Sequence, residues 1–250
     1  MAHSEKSYLI IGAGGGVGAD LAVRLVSGGA RCVLAGRRSE HIYRLGEALQ
    51  MPVAELDARH EPAVEACYDY ALNHLGVLDG VANCVGSLHL KPAHATSADE
   101  WNDTIATNLS SAFWTLRGFA RRVRGPGSLV FCSSVAAKVG MRNHDAISAA
   151  KAGIIGLVKS AAASYGHRQL RVNCVAPGLT LTPLTESVVK NPAVLDNWNA
   201  MSALGRAGKA SDVSALIAWL LGAESSWITG QVIGVDGGGS ECLSNRARTV

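Results

Sequence analysis

Two stretches of this chain carry residues whose types and spacing bear on chemistry. The first is Gly12-Ala13-Gly14-Gly15-Gly16-Val17-Gly18, which follows the apolar run Tyr8-Leu9-Ile10-Ile11. Glycines there let a tight turn bring backbone N–H groups against a pyrophosphate at a helix N-terminus. No Lys-Ser/Thr follows the glycines, which disfavours an ATP-type P-loop. The competing reading is a tight strand-to-helix turn with no ligand. The second stretch is 134–153, SVAAKVGMRNHDAISAAKAG. Ser134 ends the strand-like run Leu129-Val130-Phe131-Cys132, and Lys151 follows Ile147 by one helical turn. Residues four apart share a helix face. Serine brings a hydroxyl and lysine an ammonium; isoleucine has no proton to give and no lone pair.

Other polar residues stand where strands end. Where dinucleotide folds place an acid for the ribose 2′-hydroxyl, this chain has Gly36-Arg37-Arg38. A carboxylate would repel a 2′-phosphate, whereas a guanidinium grips it with paired hydrogen bonds. The arginines lean to NADP, against two solvated arginines opening a helix. Asp57 closes a third strand at 52–56; it either bonds an adenine amino group or caps the helix Glu61 to Leu75. Asn83-Cys84-Val85-Gly86 ends a fourth strand, 77–85. Asn108 lies inside a helix expected over Trp101 to Val123, as part of a solvated face or as a functional kink.

These residues need a frame. Short β-branched runs alternate with helical patterns, which argues for an α/β fold: a doubly wound parallel sheet with helices on both faces, in a single domain over 1–250. The first helix is expected over Ala19 to Val26 and the second strand over Cys32 to Ala35. Leu170 to Val175 is a sixth strand leading to Pro177-Gly178. The segment about 180–210 is polar and punctuated by proline, as a mobile substrate lid would be. Ser211 opens a last helix to Leu221, and Gly230 to Gly238 forms a closing strand and turn. The polar tail 241–250 either frays or lies on a neighbour.

The chain has 250 residues, 48% hydrophobic and 17% charged, enough for one substantial core. A net charge of +3 is too small to argue for nucleic acid or an anionic membrane. No signal-peptide pattern opens the chain, and no run of ~18 apolar residues is expected to span a membrane. Six cysteines without C-x-x-C spacing read as small buried hydrophobes in a reducing cytoplasm, with no metal site.

Taken together, the motifs resemble the short-chain dehydrogenase/reductase family. Gly12-x-x-x-Gly16-x-Gly18, Asp57, Asn83-Cys84-Val85-Gly86, Asn108, Ser134, Lys151, Asn173 with Pro177-Gly178 and Thr182, and Asp236-Gly237-Gly238 match its order and spacing from about Ser7 to Ser240. The branch it looks most like is that of 3-oxoacyl-thioester reductases and hydroxyacyl-CoA dehydrogenases. The resemblance implies a Rossmann-type sheet of seven strands, an NAD(P) cofactor and a tetramer built on the helices around Asn108 and Lys151. It implies cofactor contacts from Gly12, Gly16, Val17, Gly18, Arg37, Asp57, Asn83, Gly86, Lys151, Pro177, Gly178 and Thr182. It also implies a catalytic set of Asn108, Ser134, a tyrosine and Lys151, with the lysine lowering the phenol's pKa from ~10. At the tyrosine position this chain has Ile147. Ile11 and Cys84-Val85 are milder departures from the pattern.

Three functional expectations follow. The first is a non-catalytic or weakly catalytic subunit of an NAD(P)-dependent alcohol or hydroxyacyl-thioester dehydrogenase, paired in a hetero-oligomer with a paralogous subunit that keeps the tyrosine. The second is a self-sufficient NADP-dependent oxidoreductase in which His144, Ser134 or water handles the proton of a small-molecule substrate. The third is a module that senses NADP(H) without reacting it.

Overall fold

Seven parallel strands form the sheet, in the order β3-β2-β1-β4-β5-β6-β9. They are β1 Ser7–Ile11, β2 Arg31–Gly36, β3 Val53–Glu55, β4 Gly80–Asn83, β5 Gly127–Cys132, β6 Leu170–Pro177 and β9 Val232–Val235. A computed structural model describes residues 3–242; part of the expected tail, 243–250, lies outside the described residues. Central strands of a parallel sheet are covered on both faces, so they need apolar residues at every position. All five residues of β1 are buried.

Strand alternation divides the core into two layers. Leu9, Ile11, Val33 and Phe131 face Tyr68, Phe119 and Ile154. Those come from α3 (Glu61–Leu75), α5 (Ser111–Arg122) and α6 (Asp145–Tyr165). Tyr8, Ile10, Leu34 and Val130 face Leu21, Leu25, Ile217 and Leu221. These belong to α1 (Gly16–Ser27) and α9 (Ala210–Leu221). Each fully buried Leu or Ile contributes about 1.5–3 kcal/mol. Helix α2 (Glu40–Leu49) completes this second face.

From β3, at one edge, the chain crosses to β4 on the far side of β1. Winding reverses there, and such a reversal opens a crevice at the carboxyl ends of the strands.

Several boundaries differ from expectation for local reasons. Helix α1 begins at Gly16 rather than Ala19, so two motif glycines lie in its first turn. Helix α4 (Ala98–Ile105) begins before Trp101 because Ser97 and Glu100 form a reciprocal capping box. It passes through a π turn, Ala106–Ser110, into α5. Strand β4 starts late because Gly76 turns at φ 78° and Val77 is 61% exposed. Helix α6 with its continuation to Arg168 is long and apolar enough, by length and composition alone, to cross a membrane. Its buried residues, Ala150, Ile154, Val158 and Ala161 among them, instead pack as a core stripe.

The lid segment is an excursion between two short paired strands, β7 Thr180–Leu181 and β8 Gly208–Lys209. It holds two helices, α7 (Glu186–Val189) and α8 (Pro192–Met201). Trp198 of α8 is buried, and a Cβ on Gly178 would lie 2.2 Å from its ring. Gly178 is thus the seat of the lid helix.

Candidate active site

The glycine turn requires glycine for reasons visible in its contacts. Gly12 has φ 86°, and a Cβ there would stand 2.8 Å from the Cys84 carbonyl carbon. A Cβ on Gly18 would lie 2.3 Å from the Gly12 oxygen. At Gly16 it would meet the Thr182 side chain at 2.9 Å. The turn therefore lies against the fourth-strand motif and the base of the lid. The N-terminal N–H groups of a helix lack intrahelical acceptors, and those of α1 open between these walls. This cradle fits a dinucleotide pyrophosphate, which Gly12, Gly16, Val17 and Gly18 would hold with Thr182 above.

Asn108 is 1% exposed and sits in the π turn, so the kink reading holds and the solvated-face reading does not. Its side-chain amide donates to the Thr104 carbonyl at 3.0 Å and to the Ser87 hydroxyl at 2.9 Å. Its oxygen accepts the Ser87 N–H at 3.1 Å. Asn83 is clamped similarly, donating to Thr115 Oγ1 at 2.8 Å and accepting from the Val85 N–H at 2.9 Å. These bonds fix the Asn83–Ser87 loop. A Cβ on Gly86 would be 3.4 Å from both Asn108 Oδ1 and Lys151 Nζ. Gly86 thus marks where Asn108 and Lys151 converge.

Lys151 is 6% exposed and donates from Nζ to the Cys132 carbonyl at 2.9 Å. Burial lowers its pKa, against the pull of nearby thiols. Ser134 follows β5; its Oγ accepts the Ala136 N–H at 3.2 Å, which leaves its O–H to donate elsewhere. Ser133 anchors the helix beside it, donating to the Lys151 carbonyl at 2.8 Å. Asn108, Ser134 and Lys151 therefore come from α4–α5, β5 and α6 to one end of the sheet.

Ile147 is 3% exposed and precedes Lys151 by one turn of α6. Each of the five tyrosines is engaged or distant. Tyr8 bonds His3 on β1, Tyr43 bonds Glu55, and Tyr68 donates to the Thr115 carbonyl. Tyr70 packs on His74, and Tyr165 ends α6 eighteen residues from Ile147, about 27 Å along a helix. His144 is the N-cap of α6, and its Nδ1–H donates back to the Arg142 carbonyl at 2.7 Å.

Asp57 does not cap α3; the N-cap position is held by His60, whose side chain makes no capping bond. Arg59 grips the Asp57 carboxylate from Nε at 3.0 Å and from its terminal nitrogen at 2.7 Å. That ion pair holds the carboxyl at about 2, below the usual carboxylate range. Arg37 is exposed and forms no ion pair among the described residues, while Arg38 approaches Glu55 at 3.9 Å. Pro177 and Gly178 close β6, with the Gly178 N–H bonded to the Val235 carbonyl at 3.1 Å.

Sequence reasoning passed over Arg59, Ser87 and the pair Cys84–Cys132. Cys84 follows the last residue of β4 and Cys132 ends the adjacent β5, a proximity that appears only once the register of β4 on β5 is known.

A doubly wound sheet with this glycine cradle and these strand-end polar residues defines a nucleotide-binding α/β oxidoreductase scaffold. The chain belongs to the short-chain dehydrogenase/reductase family. Residues 12–240 match the family model described as Enoyl-(Acyl carrier protein) reductase. The short-chain dehydrogenase/reductase ABA4 of Pyricularia oryzae is 32% identical over 93% of this chain and 91% of that protein. The 3-oxoacyl-[acyl-carrier-protein] reductase FabG of Chlamydia pneumoniae is 31% identical over 93% of this chain and 96% of its own. The crystal structure of levodione reductase superposes with a TM-score of 0.92 at 28% identity, covering 96% of this chain and 99% of that one. Members of the family use NAD(P) cofactors.

Proposed function

We propose that this chain binds a nicotinamide dinucleotide and serves as a weakly catalytic or non-catalytic subunit of a carbonyl-reducing, alcohol-oxidising assembly. The observation that carries this is the buried isoleucine one turn ahead of Lys151. When bound, the cofactor supplies or accepts hydride. The protein must then move a proton at the substrate oxygen. Ser134 can donate a hydrogen bond to that oxygen, and Asn108 holds the loop at Gly86. Lys151 would hold the nicotinamide ribose. Ile147 can do none of this, and loss of a positioned acid/base typically costs ~10²–10⁴ in rate.

NADP is the proposed cofactor, because the exposed Arg37 guanidinium, just beyond β2, forms no ion pair among the described residues. The adenine contact proposed for Asp57 would be made by a carboxylate already oriented by Arg59. The proposed partner is a paralogous subunit that keeps the tyrosine, in a tetramer. Trp101 and Phe113, 43% and 46% exposed along α4 and α5, offer it an apolar face. Small-molecule substrates of the hydroxyacyl-thioester or secondary-alcohol kind suit this branch, since one relative is named a 3-oxoacyl-[acyl-carrier-protein] reductase.

A second reading is a self-sufficient oxidoreductase, favoured by relatives whose names describe dehydrogenases and reductases. Its proton route through His144 has to overcome the bond to Arg142. Two measurements separate the readings. Native mass of the complex from its source cell is expected to include a second, related chain. Purified alone, the chain is expected to turn over slowly or not at all; brisk turnover with no companion would refute the subunit reading.

A further inference from the structure

We propose that Cys84 and Cys132 form a paired-thiol site at the floor of the nucleotide crevice, at which a hydroperoxide is reduced as the two sulfurs become a disulfide. Strands β4 and β5 run parallel with Asn83 opposite Phe131, which places Cys84, the residue after β4, next to Cys132, the last residue of β5. Both side chains turn to the α1/α9 face, where they adjoin the core that contains Ala13, Val130 and Val175. Neighbouring strands stand about 4.8 Å apart, inside the window of roughly 4.4–6.8 Å between Cα atoms that a disulfide needs.

Three features divide the labour between the two thiols. Cys84 and Cys132 are half-buried at the crevice, whereas Cys32, Cys67 and Cys174 are buried, and burial pushes each of those up to about 12. The neighbouring Cys84 thiol and then the Lys151 ammonium lower the Cys132 thiol, while the Cys132 thiol and burial raise Cys84. Lys151 is tied to the Cys132 backbone oxygen, so the cation is held at the residue whose thiol it favours. Cys132 is therefore the nucleophile and Cys84 the resolving thiol.

The chemistry balances. The Cys132 thiolate attacks the O–O bond of a hydroperoxide; an S–O bond forms, the O–O bond breaks, and the leaving alkoxide or hydroxide takes a proton. Sulfur is oxidised by two electrons and the peroxide is reduced by two. The Cys84 sulfur then attacks the sulfenic sulfur. An S–S bond forms and the S–O bond breaks, and water departs with the Cys84 proton. The sum is two thiols and one hydroperoxide giving one disulfide, one alcohol and one water. Lys151 keeps its proton throughout.

The test is peptide mapping of the reduced, full-length chain after hydrogen peroxide treatment and alkylation. A Cys84–Cys132 cross-link is expected, lighter by two hydrogens and reversed by dithiothreitol. In Cys84→Ser the reaction is expected to stop at a Cys132 sulfenic acid that dimedone traps. Lys151→Met should slow Cys132 oxidation near neutral pH, since removing the ammonium leaves less of the thiol as thiolate. The wild-type map decides the matter even where a variant folds poorly. Recovery of Cys84 and Cys132 as free thiols while the exposed Cys242 is oxidised would overturn the proposal.

Discussion

Ile147 and Lys151 lie one helical turn apart on the buried face of α6, exposed by only 3% and 6%. The lysine ammonium thus has an apolar neighbour along its own helix. The ionisable groups acting on it are three thiols, Cys132, Cys174 and Cys84, rather than a phenol. Ser134, Asn108 and Lys151 are all supported by hydrogen bonds, so the scaffold around the isoleucine is intact.

Asn108 ties the π turn to the loop after β4. Asn108→Ala removes the acceptor of the Ser87 N–H and the amide that bonds Thr104 and Ser87. Leaving such partners unpaired costs about 1–3 kcal/mol. Urea unfolding is expected to show that loss, with the cofactor affinity falling as the Gly86 loop loosens.

Arg37 is the residue proposed to set the cofactor preference. Arg37→Asp is expected to weaken binding of the 2′-phosphorylated dinucleotide at least about tenfold, as loss of a charge-assisted bond would. Affinity for the unphosphorylated form should hold or rise. Titration of both nucleotides against tryptophan fluorescence reads the difference. The residue is exposed, so its substitution should move stability by no more than about 0.5 kcal/mol.

Asp57 gives a pH signature. Its folded pKa, about 2, is below the unfolded value of ~3.9, so its pairing with Arg59 stabilises the fold above pH ~4. That contribution disappears as pH falls through 2. Wild type should therefore be more stable than Asp57→Asn near pH 6, and the two should converge between about pH 4 and pH 2. Thermal melts across that range check it.

The sheet was legible because its strands are short runs, closed by glycine after β1 and at the end of β2, asparagine in β4 and proline in β6, and parallel burial makes the central runs continuously apolar. Asn108 was legible as a candidate because a polar residue interrupts apolar helix positions. Its π turn was not, because the extra residue is stabilised by bonds to Ser87 and Thr104 that no helical periodicity encodes. The lid read as polar and irregular, yet Trp198 seats a helix on Gly178, a contact between residues twenty positions apart. Asp57 read as an adenine ligand or a cap, and the competing partner was Arg59, two residues away. The cysteines read singly as small hydrophobes. Only strand register brings Cys84 beside Cys132.

The central claim is that one missing phenol limits an otherwise complete site. The direct measurement is steady-state turnover of purified Ile147→Tyr against the wild-type chain, with NADPH and a 3-oxoacyl thioester. The account predicts a gain of about 10²-fold or more, the scale of a restored general acid. Wild-type turnover already equal to that of Ile147→Tyr would contradict it.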